Sequence, residues 1–148
     1  MLTFDLDPDP DLPWRNLVEA AAHTRLYLHD LGLTSFVKTT GGKGLHVVVP
    51  IVPRAEWKEV HAFTERVAQT LAKRDPKRFT ASMAKSARTG KVYVDYVRNA
   101  RSQTAVAAFS TRAVRGAGVD AAAVGRAPVR GSRRTGGTSG IFRGAWRR

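Results

Sequence analysis

The chain has 148 residues, 43% of them hydrophobic, which suits one domain with a real core and excludes both two full domains and a wholly disordered chain. It contains no cysteine, so a disulfide framework and a cysteine-based zinc site are excluded. The formal charge of +13 points to a polyanionic partner, although residues 111–148 supply +8 of it through nine Arg against the single acid Asp120, leaving +5 for residues 1–110.

Residues 2–6 read as a short strand that runs into an Asp- and Pro-rich stretch from Asp7 to Pro13. Pro8, Pro10 and Pro13 forbid a helix or a central ladder there. From about Trp14 to Leu31 apolar residues recur at helical spacing (Leu17, Val18, Ala21, Ala22, Leu26, Leu28, Leu31), and Gly32 marks the stop. Ser35–Lys38 and Leu45–Pro50 are β-like runs around a glycine-rich connection, a hairpin or a crossover. A second helix is expected over about Arg54 to Arg74, with Trp57, Val60, Phe63, Val67 and Leu71 on one face. Lys91–Tyr96 alternates like a strand, and Thr104–Ala108 is a further candidate. This order predicts an α+β fold, an antiparallel or mixed sheet with the helices packed on it. After about Ser110 apolar periodicity ends, and residues 116–148 are expected to be either a disordered basic arm or the product of a frame shift near Arg112–Val119.

Asp5 and Asp7 stand two apart at the end of the first strand, so both carboxylates project from one face and can converge on a cation. Asp95 sits in Val-Tyr-Val-Asp-Tyr, where a charge among apolar residues is costly unless paired or metal-bound. If the two strands are neighbours, three hard oxygen donors meet and suit Mg²⁺ or Mn²⁺. A pair of such ions activates a 3′-hydroxyl and stabilises a leaving pyrophosphate. The competing reading places Asp5, Asp7, Asp9 and Asp11 together in an acidic surface turn.

Thr39-Thr40-Gly41-Gly42-Lys43-Gly44-Leu45-His46 has the makings of a phosphate cradle: glycines admit close backbone N–H groups, Thr40 offers a hydroxyl, Lys43 a charge and His46 a ring donor. It lacks the Walker A spacing, and an ordinary glycine hairpin accounts for it equally well. Arg88, Lys91, Arg98, Arg101 and Arg112 surround or follow Asp95, the pattern of carboxylates for metal beside cations for phosphate. His23, His29 and His61 fall on helices with no ligand set beside them.

Phe4-Asp5-Leu6-Asp7-Pro8, Thr40-Gly41-Gly42-Lys43-Gly44-Leu45-His46 and the run from Gly90 to Thr104 together resemble the polymerase domain of bacterial ATP-dependent DNA ligase D, of the archaeo-eukaryotic primase superfamily. The resemblance extends from about Leu2 to Arg115 in the family's motif order. It implies the catalytic RRM-like half of a primase-polymerase fold over residues 1–115. It also implies nucleotidyl transfer to a DNA 3′ end for gap filling or end processing in non-homologous end joining, with Mn²⁺ or Mg²⁺. The partners implied are DNA ends, a nucleoside triphosphate, a ligase module and the end-binding protein Ku. By the same carry-over Asp5, Asp7 and Asp95 are the catalytic metal ligands, Thr40, Lys43 and His46 contact the incoming triphosphate, and Arg88 and Arg112 make further triphosphate contacts.

The chain departs from the family at Thr40 (usually Ser), Ser102 (often Gly) and Ala108-Phe109-Ser110 (Pro-Tyr-Ser). A long segment ahead of the Asp-x-Asp strand is also expected to be missing, so the chain reads as a partial copy, and two outcomes stay open: activity alone, or inactivity until that segment is restored. Two other readings stay open: a non-catalytic basic nucleic-acid-binding module, and a degraded pseudo-domain. No apolar run reaches the length of a membrane span and no signal-peptide pattern opens the chain, so a cytoplasmic protein without a membrane partner is expected.

Overall fold

A computed structural model describes residues 1–52, 54–105 and 107. Their architecture grows from the alternation of the first strand, β1 (Leu2–Pro8). Leu2, Phe4 and Leu6 project to one side and are wholly buried, while Thr3, Asp5 and Asp7 project to the other. After α1 (Trp14–Asp30), β2 (Phe36–Thr39) and β3 (Leu45–Val49) form an antiparallel hairpin, so of the two connections open from sequence the hairpin is the one formed. Then come α2 (Trp57–Arg74), the two-residue β4 (Phe79–Thr80), a 3₁₀ turn at Lys85–Arg88 and β5 (Val92–Asp95).

The strands make one sheet in the order β2-β3-β1-β5-β4, mixed because only the β4–β5 pair is parallel. This is the expected α+β class. Phe4, Leu6, Val47, Val49, Val92 and Val94 form one buried cluster with Leu17, Ala20, Ala21 and Leu28 of α1 and Val60, Val67, Ala68 and Leu71 of α2. Both helices therefore cover the Leu2–Phe4–Leu6 side. Burying Phe4 or a leucine of this cluster contributes about 1.5–3 kcal/mol each.

Several sequence expectations shift. β1 continues to Pro8, which pairs with Val92, two residues past the predicted end. Pro8 is tolerated because β3 pairs with β1 only as far as Leu6, and the Asp9 N–H, not that of residue 8, is the one that faces β5, donating to Lys91 O at 3.0 Å. In α1 the buried stripe runs through Ala20 and Thr24 rather than Val18, Ala22 and Leu31, which are exposed. In α2 Trp57 is exposed and Thr64 is buried. Both threonines satisfy their hydroxyls on the preceding turn, Thr24 to Ala20 O and Thr64 to Val60 O, so a polar letter occupies a core position at little cost. α2 starts at Trp57, where Glu56 and Glu59 close a capping box. Gly32 ends α1 as expected: its φ is +80°, and Gly32 N–H to His29 O with Leu33 N–H to Leu28 O make a Schellman closure. β4 was not foreseen, being too short to show a period. Thr104, Ala105 and Ala107 carry no strand; the other positions of that candidate strand, together with residues 109–148, lie outside the described residues.

Ser102 has φ +67° in the turn closed by Gln103 N–H to Ala100 O, at the position where the resemblance puts glycine. The left-handed conformation costs an L-residue roughly 1–2 kcal/mol, against roughly 0.5–1 kcal/mol for the greater unfolded-state freedom of glycine. Ser102→Gly is thus expected to stabilise the chain by about 0.5–1 kcal/mol. A denaturant midpoint that rises at constant slope would bear this out, and a lower midpoint would contradict it.

Candidate metal centre

On the face opposite the helices the strand register lines up Lys38, His46, Asp5 and Asp95 as successive cross-strand neighbours. Asp7, two residues on, pairs with Tyr93. Side chains opposite one another in adjacent strands share a face, so the Asp5 and Asp95 carboxylates are brought together by register alone. One oxygen from each of Asp5, Asp7 and Asp95 lies within 4.8 Å of the others. Asp9 and Asp11 do not join them. Asp9 accepts from the Asp11 and Gly90 N–H groups at 3.0 and 2.7 Å, which holds its carboxyl below the ordinary range. The acidic-turn reading thus holds for Asp9 and Asp11 alone.

Three carboxylates at this spacing repel. Burial, then the charges of Asp5 and Asp95, push the Asp7 carboxyl above its ordinary value, and Arg88 and Arg98 oppose the shift. Asp5 is 6% exposed and is held from two sides: His46 Nε2 is 3.3 Å from Oδ1, and Arg98 Nε is 3.4 Å from Oδ2. Arg98 Nε is also 3.5 Å from Asp95 Oδ2, and Asp95 Oδ1 accepts the Val97 N–H at 2.8 Å. His46 Nδ1 is shielded and has no hydrogen-bond partner among the described residues.

Two residues that the sequence does not place at the carboxylates help to build this centre. Gly44 lies against the carboxylates: a Cβ there would come within 2.9 Å of Leu6 O, 3.3 Å of Asp7 Oδ1 and 3.5 Å of Asp5 Oδ1. Only glycine lets the loop approach so closely. Asn99 is the second. β5 ends at Asp95, which leaves the Thr3 backbone without a strand partner on that side. The Asn99 side chain replaces it, with Oδ1 accepting from Thr3 N–H at 2.8 Å while Nδ2 donates to Thr3 O at 2.7 Å and Tyr96 O at 3.0 Å. A buried amide thus continues the ladder and fixes the chain after Asp95 to β1. Lys38, buried beside His46 in the same row, was also passed over, though the alternation of β2 places it on the His46 face.

The predicted phosphate contacts are partly assembled. Thr40 is buried and its hydroxyl donates to Gly44 O at 3.2 Å, so it closes the loop on itself. Gly41 takes φ +66°, and Lys43 is exposed at the tip. Arg88 stacks its guanidinium 3.8 Å over the Tyr93 ring and donates to Met83 O at 2.8 Å. Burial and the Asp95 charge push the Tyr93 hydroxyl up to about 12, so it stays protonated beside the carboxylates. Arg112 lies outside the described residues, as does the Arg/Gly-rich stretch on which the non-catalytic reading depends. Among the described residues no helix is long and apolar enough to cross a membrane.

Two substitutions probe this geometry. The raised Asp7 carboxyl means that the folded chain takes up a proton there more readily than the unfolded chain. Ionising Asp7 therefore costs stability, a cost absent below the ordinary carboxyl value of 3.8 and complete above the raised one. Asp7→Asn is expected to raise the thermal midpoint in chelator at pH 7, with the gain vanishing in acid, and, if the three carboxylates hold a cation, to show a smaller rise on adding Mn²⁺ than the unaltered chain. A lower midpoint in chelator would contradict this. Gly44→Ala is expected to weaken Mn²⁺ binding about tenfold by calorimetry, the lower end of the cost of disturbing groups that orient metal ligands.

Comparison with known proteins shows the family. The family model described as "LigD, primase-polymerase domain" matches residues 1–126. The multifunctional non-homologous end joining protein LigD of Pseudomonas aeruginosa is 47% identical over 113 residues, covering 76% of this chain and 14% of that protein. The multifunctional non-homologous end joining DNA repair protein LigD of Mycobacterium tuberculosis is 40% identical over 111 residues, covering 75% of this chain and 15% of that protein. Among solved structures, the polymerase domain from Mycobacterium tuberculosis ligase D in complex with DNA matches with a TM-score of 0.77 and 38% identity, over 82% of this chain and 42% of that one. The chain thus spans a small part of the length of these relatives, and on sequence, topology and family match it belongs to the LigD primase-polymerase domain family.

Proposed function

We propose that this chain carries the catalytic carboxylates of a DNA-repair nucleotidyltransferase, one that adds nucleotides to a DNA 3′ end during non-homologous end joining. The observation that carries the reading is the convergence of Asp5, Asp7 and Asp95 within 4.8 Å on the sheet face away from the helices. Hard oxygen donors with unneutralised charge suit Mg²⁺ or Mn²⁺. Such ions, when bound, activate the attacking hydroxyl and offset charge on the leaving pyrophosphate.

The chain's own residues do the rest. His46 orients Asp5 and the Asx bond from Val97 N–H orients Asp95, while Arg98 offsets part of the charge of both carboxylates. The Gly41–Gly44 loop lies against the same carboxylates, so phosphates held by its N–H groups and by Lys43 are delivered beside the metal ligands. Thr40 keeps that loop closed. Arg88, fixed on Tyr93, adds positive potential on the Asp7 side, and Arg112 is assigned a triphosphate contact by resemblance alone. The DNA bound by the solved relative supports DNA ends as a partner; a ligase module, Ku and a cytoplasmic setting are proposed from the family resemblance alone.

Primer extension with Mn²⁺ and ribonucleoside triphosphates tests this, with the chain alone and with the chain fused behind the preceding part of a relative's polymerase domain. Nucleotide addition is expected in at least one form, falling by roughly two to three orders of magnitude in Asp5→Ala and Asp95→Ala while DNA binding survives. Failure of both forms to add a nucleotide contradicts the proposal.

A further inference from the structure

Arg98 occupies an unusual position for a cation beside a metal centre. Its Nε is shared between Asp5 Oδ2 and Asp95 Oδ2 at 3.4 and 3.5 Å, and its Nη1 reaches Thr104 O at 3.4 Å. All three contacts are long. Neither carboxylate is gripped by the two-pronged fork that makes an arginine–carboxylate pair strong. The flanking backbone, by contrast, is pinned. Val97 N–H is held by Asp95, and Asn99 is clamped to Thr3 by two hydrogen bonds shorter than 2.9 Å. The Arg98 side chain is 38% exposed, whereas those of Asp5 and Asp95 are 8% and 16% exposed. A long, loosely held and solvent-accessible cation therefore hangs from a rigid stem over two shielded anions.

Charge decides what such a cation does. It offsets the repulsion between Asp5 and Asp95, and it competes with a divalent ion for the same oxygens, because two cations within a few ångströms repel strongly in a shielded site. A nucleoside triphosphate reverses the balance: it brings several negative charges to the centre and offers a guanidinium better, forked partners. We propose that Arg98 is a partner-switching cation, which bridges Asp5 and Asp95 until a divalent ion binds and then transfers to the triphosphate. Metal entry and nucleotide entry are thereby coupled through one side chain. The inference rests on the metal reading of the three carboxylates given above.

The test uses the full 148-residue chain and two calorimetric titrations. Mn²⁺ alone is titrated first, then ATP at saturating Mn²⁺, for the unaltered chain, Arg98→Gln and Arg98→Lys. Arg98→Gln is expected to bind Mn²⁺ about tenfold more tightly and ATP about tenfold more weakly, since removing one unit charge strengthens the one and weakens the other. Arg98→Lys, which keeps the charge and loses the fork, should stay near the unaltered chain for Mn²⁺ and fall between the two for ATP. A merely structural role would weaken both affinities together. Should Arg98→Gln not fold, Arg98→Met retains the stem and carries the same two expectations. Unchanged or weaker Mn²⁺ binding by the neutral variant, or ATP binding that does not move, overturns the proposal. If the unaltered chain itself binds no Mn²⁺, the metal reading fails first and this inference falls with it; that outcome is visible before any variant is measured.

Discussion

The constraint on which everything else turns is the two-sidedness of β1. Its Leu2, Phe4 and Leu6 side is buried under both helices, and this commits Thr3, Asp5 and Asp7 to the opposite face of a central strand. A carboxylate there has neighbours on both sides and little access to water, so it must be offset by something. Slipping the strand by one residue would put the aspartates into the hydrophobic cluster, so the same packing that fixes the register also fixes the site. Stability and chemistry are written on alternate residues of seven.

Around that strand the chain supplies partial compensation and no more. His46 and Arg98 meet Asp5, and Arg98 also meets Asp95, yet Asp7 keeps a carboxyl that resists ionisation. Such residual electrostatic strain is what a cation-binding site requires, because complete neutralisation by protein groups would leave nothing for the ion to stabilise. The closest structural approach is made by Gly44, whose missing side chain lets the glycine loop share space with the carboxylates. The amide of Asn99 performs a quieter service by extending the β1 ladder after β5 has ended.

Much of this was legible in the sequence, and for identifiable reasons. The β-like run over residues 2–6 and the alternation of Lys91–Tyr96 point to both strands, the two-residue spacing of Asp5 and Asp7 points to their shared face, and three ordered motifs point to the family. What escaped had physical causes. Thr24 and Thr64 hide in the core because a helix carbonyl four residues back satisfies each hydroxyl, whereas the apolar letters Val18, Leu31 and Trp57, which the helical spacing puts on the inner face, are exposed. Pro8 stays in the ladder because its missing N–H lies on a side where no strand needs it. Asn99 and Arg98 act across 96 and 93 residues of sequence, on Thr3 and Asp5, and pairings of that span leave no local pattern. Thr40 fits a phosphate-loop pattern by composition, but its hydroxyl is turned onto Gly44.

The central claim is that Asp5, Asp7 and Asp95 are one cation site. Anomalous diffraction from crystals soaked in Mn²⁺ tests it most directly, since it locates the metal without reference to activity. The account predicts anomalous density about 2.0–2.4 Å from an oxygen of each of the three carboxylates, the range of hard-cation oxygen bonds. Density confined to the Asp9–Asp11 turn, or none at the three aspartates with both Asp5 and Asp95 still on Arg98, would contradict it.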